Sequence, residues 1–229
     1  MQRSINPVVG AIRLLAWTMA FAALLFAAAG TVAWPVAWAY LAIVTTITVV
    51  YAAIVVRLHP GLIEERLRPP ADAKRWDKPL VAIVAVVGPM VLLLLCGLDH
   101  RFGWSDPLPA WAQAAGLTAA AAGGALSNWA VAANRFFSGL VRIQRDRGHH
   151  VVDTGPYRFV RHPAYAGSMV YMIGVTFALA SYVALAVAAV LSAVLVVRTA
   201  LEDRTLQEEL EGYADYARRV RFRIVPGVW

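Results

Sequence analysis

Charge is scarce in this sequence. Of its 229 residues only 15% are Asp, Glu, Lys or Arg and 60% are hydrophobic, and the mean hydropathy of +0.60 belongs to a helical membrane protein rather than a soluble domain. Cysteine is nearly missing. The single Cys96 lies inside an apolar run, which excludes an intrachain disulfide and a cysteine-based metal cluster and leaves it to pack as a small hydrophobe. No G-x-G-x-x-G follows a strand pattern, and there is no P-loop and no nucleophile elbow, so a nucleotide-like cofactor would be held outside those frameworks. Internal repeats, low-complexity tails and a segment of soluble-domain composition are also lacking. His149 and His150 have no partner at metal-ligand spacing, so no metal site is expected and a solvated loop accounts for them. The basic excess of +7 is dispersed between apolar runs, which speaks for lipid head groups and topology and against nucleic acid.

What the chain does have is long apolar segments. About 20 apolar residues cross the hydrocarbon core, with about 17 as the lower limit. Residues 12–33, 37–56, 80–98 and 110–133 qualify. The first follows Arg3 and Arg13 and ends in the small residues FAAAG, as a signal peptide does, but it is too long for an h-region and is expected to be a retained helix. A fifth apolar region, 165–197, is too long for one span and is broken near Ser181-Tyr182, which predicts two short helices in a hairpin. The expected fold is therefore all-α, a polytopic transmembrane bundle of about six crossings with a cytoplasmic C-terminal helical layer.

Basic residues set the expected topology. The loop Arg57–Lys78 (with Arg66 and Arg68), the loop Arg135–Arg161 and the tail from Arg198 are rich in Arg and Lys, whereas the turn at 31–36 has no charge and the loop 99–109 has Arg101 alone as a basic residue. The positive-inside rule puts the basic loops and both termini in the cytoplasm, in what is expected to be a bacterial inner membrane. In the tail, Leu201, Leu206 and Leu210 continue the helical spacing, Gly212 is expected to interrupt the helix, and Pro226-Gly227 to end regular structure.

Two clusters could carry chemistry. In GPYRFVRHPAYAG (155–167), Gly155-Pro156 and His162-Pro163 form turns and Pro163 suits the first turn of a helix. Arg158, Arg161 and His162 thus gather before a helix N-terminus, an arrangement suited to an anionic ligand; snorkelling arginines and an aromatic belt would give the same residues a purely structural role. The second cluster is Arg198 with Glu202, four residues apart on one face of the last apolar helix. At that depth an ionisable pair marks a functional site, unless it is an ordinary surface pair. Asn128 and Asn134 suit cross-helix hydrogen bonds, and Gly123-Gly124 suits close helix packing.

The motif GPYRFVRHPAYAG, the apolar hairpin, Arg198 with Glu202 and then GYADYARRVRFRIVP, in this order and spacing over about residues 134–226, resemble the isoprenylcysteine carboxyl methyltransferase family, which includes phospholipid N-methyltransferases. GLIEERLRP and KRWDKPL also look like its bacterial members. The resemblance implies an integral membrane methyltransferase using S-adenosylmethionine, with S-adenosylhomocysteine as product and no metal. It divides the chain into four N-terminal helices, 1–133, and a donor-binding and catalytic region, 134–229. It places Gln144, His149, Gly155, Tyr157, Arg161, His162, Pro163, Tyr165 and Gly167 at the donor and Arg198 and Glu202 at the chemistry. The family often has two adjacent glutamates where this chain has Glu202-Asp203, which leaves open which acid faces the site. The implied acceptor is lipophilic and enters from the bilayer, most simply an isoprenylcysteine-type carboxylate; a phospholipid amine or a small thiol fits the same fold. Readings of another class are a nicotinamide-dependent membrane reductase and a non-enzymatic membrane protein.

Overall fold

A computed structural model describes residues 7–60, 62 and 72–229, with side chains from residue 14 onward. Arg3, Arg13 as a side chain, Arg66, Arg68 and all of GLIEERLRP except Leu62 lie outside the described residues. Among the described residues the chain forms seven α-helices and no strand: α1 (Pro7–Ala29), α2 (Pro35–Leu58), α3 (Asp77–Phe102), α4 (Ala110–Ala133), α5 (Pro163–Ala178), α6 (Tyr182–Glu209) and α7 (Tyr213–Arg219). Proline opens α2 and α5, where its missing N–H removes no helical bond. Gly212, at a φ of +79° that favours glycine, separates α6 from α7 as expected.

The break in the fifth apolar region falls at residues 179–181. The hairpin is unequal, however, with 16 residues in α5 and 28 in α6. Among the described residues α2, α3 and α6 alone combine the length and apolarity of a membrane span, and the apolar part of α1 with described side chains, Leu14–Ala29, is shorter. The expectation that 110–133 qualifies easily is corrected: α4 has 24 residues, but its Ala, Gly, Gln113, Ser127 and Asn128 leave it less apolar than a span.

The helices alternate in direction, and this sorts polar residues to two ends. At one end Asp99 accepts from Ser105 N (2.8 Å), Ser105 Oγ (2.6 Å) and Ser181 Oγ (2.5 Å), and Ser181 Oγ caps α6 through Ala184 N. The opposite end, which we call the loop end, gathers Asp77, the segment 134–162 and the last turns of α6. Between them lies a core of Leu25, Tyr40, Leu92, Leu93, Cys96, Met172, Val175, Leu191 and Leu195. Cys96 is buried and free, as its apolar setting implied.

Small residues hold α4 and α5 together. A Cβ on Gly123 would stand 2.5 Å from Gly167 O and from Tyr171 N, and one on Gly116 would stand 2.4 Å from Ala178 N. No side chain fits at that separation, so the sequence must place glycine where the backbones touch. Asn128 Nδ2 donates to Ile47 O on α2 at 3.1 Å, the cross-helix bond anticipated for it. Gly123→Leu should therefore force α4 and α5 apart at a cost of about 1–3 kcal/mol or more. Thermal unfolding of the detergent-solubilised protein should show a lowered midpoint, and an unchanged midpoint would contradict this packing.

Candidate functional site

The loop end contains a cleft between the segment 134–157, the start of α5, the last turns of α6 and α7. Its walls include Phe136, Phe137, His149, Tyr157, Tyr165, Glu202, Leu206 and Tyr213. The cavity inside is narrow, about 90 Å³.

Two buried carboxylates build this cleft. Asp203, on α6, is 0% exposed. It accepts from Arg161 Nε (2.7 Å) and Nη2 (2.9 Å), Arg223 Nε (2.8 Å), Gln207 Nε2 (2.9 Å) and Tyr213 Oη (3.1 Å), with His162 Nε2 at 3.4 Å. Arg161 also donates through Nη1 to the carbonyls of Val220 and Arg221. Its pKa sits above the ordinary value: burial pulls it down, and the Asp203 contact outweighs that. The cationic cluster that the sequence offers to an anionic ligand is thus answered from within the chain. Arg158 is exposed and faces away.

The second carboxylate is Asp77, also 0% exposed. It takes Arg198 Nε (2.7 Å) and Nη2 (2.9 Å) in a fork and accepts from Val141 N at 2.7 Å. Arg198 Nη2 further donates to Gly139 O (3.3 Å), and Nη1 donates to Tyr165 Oη in a short contact. Tyr165 Oη in turn donates to Glu202 Oε2 at 2.5 Å. Arg198 and Glu202 are therefore not ion-paired to each other, as their spacing suggested; they are joined through Tyr165. Four of the five guanidinium N–H groups of Arg198 are committed, which leaves no free fork for a substrate carboxylate. Between the two neighbouring acids, Glu202 faces the cleft and Asp203 faces inward, since one residue along a helix turns the side chain by about 100°.

The other expected residues divide into two groups. His149, Tyr157, Arg161, His162 and Tyr165 line the cleft with Glu202. Gln144, Gly155, Pro163 and Gly167 do not line it; they shape it. Gln144 is fully buried, donating through Nε2 to Phe136 O (2.5 Å) and accepting from Arg147 Nη1 (2.6 Å), while its backbone N–H donates to His149 Nδ1 at 3.2 Å. Gly155 takes φ +58° in a turn against Trp129, and Pro163 begins α5. His149 is half-buried rather than in the solvated loop that its sequence setting implied. Burial, then the neighbouring His150, Arg142 and Arg147, lower its pKa from 6.5 to about 4, so it is neutral with Nδ1 as acceptor. Burial likewise raises the pKa of Tyr157, Tyr213 and Tyr216, keeping all three hydroxyls protonated.

Asp77, Tyr213 and Arg223 were not singled out as site residues from the sequence, and Asp203 entered only as the alternative to Glu202. A signal for Asp203 existed, because it continues the buried stripe Ala184, Ala188, Leu191, Leu195, Thr199 on α6, and a carboxylate on an apolar stripe requires partners. No comparable signal marked Asp77.

Residues 117–208 match the model of the Isoprenylcysteine carboxyl methyltransferase (ICMT) family. The chain is 32% identical over 113 residues to Protein-S-isoprenylcysteine O-methyltransferase B of Arabidopsis thaliana, a match covering 48% of this chain and 57% of that one, so it spans little more than half of the relative. Its fold is similar to a solved structure of the eukaryotic intramembrane Ras methyltransferase ICMT without a monobody, with a TM-score of 0.61 and 20% identity over 94% of this chain and 75% of the other.

Removing the Asp77 carboxylate strands a buried guanidinium. Asp77→Ala should cost about 3–5 kcal/mol, whereas Glu208→Ala, which breaks the exposed Arg204–Glu208 pair, should leave stability nearly unchanged; thermal unfolding of both variants tests the contrast. His149 gives a second expectation. Its folded pKa lies below the unfolded one, so its stabilising contribution is complete above pH 6.5 and is lost as pH falls toward about 4. The wild-type unfolding midpoint should fall over that window more than the midpoint of His149→Gln, and parallel curves would refute the assignment.

Proposed function

We propose that this chain, whose residues 117–208 match the model of the isoprenylcysteine carboxyl methyltransferase family, is an S-adenosylmethionine-dependent integral membrane methyltransferase acting on the carboxylate of a lipophilic acceptor of isoprenylcysteine type. The observation that carries this reading is the chain of contacts Asp77–Arg198–Tyr165–Glu202. It links the apolar bundle to the cleft, where a greasy acceptor and a water-soluble donor would meet.

The residues present fit the donor in chemistry. Phe136, Phe137, Tyr157 and Tyr213 offer aromatic faces to a purine, and Glu202 is the only carboxylate among the described lining residues, suited to a sulfonium charge. When bound, S-adenosylmethionine supplies a methyl group on a cationic sulfur that departs as a neutral thioether.

The residues of the chain then do the positioning. An acceptor carboxylate is ionised at neutral pH, so no general base is needed. Arg198, its fork held by Asp77, does not line the cleft and acts by fixing Tyr165. Tyr165 in turn fixes Glu202 beside the place where sulfonium charge would lie. Leu206, Leu210 and Phe137 line the walls and limit water, so the reaction depends mainly on in-line approach. In this reading the basic loop end faces the cytoplasm of a bacterial inner membrane, by the positive-inside rule.

Calorimetric titration with S-adenosylhomocysteine tests it. The wild-type protein should bind it, and in a parallel titration Glu202→Ala should bind the cationic S-adenosylmethionine about 10- to 100-fold more weakly, the range for losing a charged partner, with a smaller loss for the neutral S-adenosylhomocysteine. A folded wild-type protein that does not bind would remove the reading.

A further inference from the structure

A groove of about 530 Å³ runs down the flank of the bundle between α2 and α4. Ile43, Val50 and Ile54 stand on one wall and Ala121, Ala125 and Trp129 on the other. The two helices touch at its floor, where Gly124 leaves room for the Ile47 side chain and Asn128 donates to Ile47 O. Val50, Ala125 and Trp129 are exposed, so the groove opens sideways, toward the surface that lipid covers. From Ala42 to Ile54 it follows about 18 Å of helix, close to the depth of one leaflet, about 15 Å of hydrocarbon. That length suits one acyl chain.

The loop end of the groove is cationic. On α2 the groove positions Ile43, Ile47, Val50 and Ile54 recur every three or four residues, and Arg57, in the last turn, is the next in the series. On the other wall the Trp129 indole lies against Gly155. Gly155 begins the short turn that ends in Arg158, about 6 Å further along. Arg57 and Arg158 are both exposed, and neither makes an ion pair among the described residues. They differ in this from Arg161 and Arg198, whose charges are answered by Asp203 and Asp77. No Asp or Glu is found among the described lining residues of the groove, so nothing there attracts a choline or an ammonium group.

We propose that this groove is a binding site for an anionic phospholipid of the loop-end leaflet. One acyl chain lies between α2 and α4, and the phosphodiester meets Arg57, Arg158 and the Trp129 indole at the level where tryptophan and arginine favour the head groups. None of the groove's lining residues lines the cleft. The occupant is therefore a bound lipid and not the methyl acceptor, and the proposal stands apart from the methyltransferase reading.

Photolabelling in detergent tests it without methyl transfer. A phosphatidylcholine carrying a diazirine in its acyl chain is crosslinked to the full-length protein, and the labelled peptides are mapped by mass spectrometry while phosphatidylglycerol or unlabelled phosphatidylcholine competes. Labelling should fall on residues 42–54 and 121–132. Phosphatidylglycerol should compete about five- to thirtyfold better, as one or two arginines near an anionic head group allow. Arg57→Gln/Arg158→Gln should keep the labelling and lose the preference. Ala125→Phe, which fills the groove from an exposed position, should lose the labelling itself. Equal competition in the wild-type protein, a preference that survives in the double arginine variant, or labelling elsewhere would overturn the proposal. So would labelling that fades as protein concentration rises, which would give the groove to a second copy of the chain.

Discussion

The buried charge of Asp203 is the constraint on which the loop end depends. A carboxylate with no solvent exposure has a large desolvation cost that only well-placed donors can offset. Those donors come from three places: Arg161 and His162 before α5, Gln207 and Tyr213 at the end of α6 and the start of α7, and Arg223 beyond α7. Satisfying one charge therefore folds the segment 155–162 and the tail against α6. Backbone bonds from Arg161 N to Phe222 O and from His162 N to Arg223 O reinforce the same junction. Glu202, one residue earlier, is turned into the cleft by the helical advance alone.

Asp77 and Asp99 repeat the logic elsewhere. Asp77 joins the start of α3 to α6 and to the loop at residues 139–141, and Asp99 joins the far end of α3 to the start of α6. In each case a single acid on α3 or α6 ties together segments distant in sequence. The middle of the bundle needs no such device between α4 and α5, because glycine contacts already bring those backbones together. Rigid packing in the centre and ionic ties at the ends leave the side chains facing the cleft as the part able to adapt to a ligand.

Much of this was legible in the sequence, and the reasons are physical. Helix existence followed from long apolar runs, and the break near Ser181-Tyr182 from polar residues within one. The turn-forming and cationic residues of 155–167 marked the site because such residues are costly beside an apolar span. The pairing of side chains was not legible. Arg198 and Glu202 are four residues apart and invite an ion pair, yet the partner of Arg198 is Asp77, 121 residues away, a contact that only the alternating helix directions create. Gly167 closes the motif and Gln144 lies upstream of it, yet neither lines the cleft; their contacts are of packing and loop geometry, which sequence spacing does not distinguish from ligand contact. The span in 110–133 was overestimated because three glycines, Gln113, Ser127, Asn128 and two tryptophans lower the hydropathy of an alanine-rich run, and the glycines serve the contact with α5.

Hydrogen exchange on wild-type protein and Asp203→Asn, in the same detergent, tests the central claim most directly. The substitution keeps the shape and removes the charge, so the account predicts faster exchange confined to residues 155–162 and 210–224, with α2, α3 and α4 unchanged. Unchanged protection in those two segments, or loosening spread evenly over the whole bundle, would contradict the view that this one buried carboxylate assembles the site.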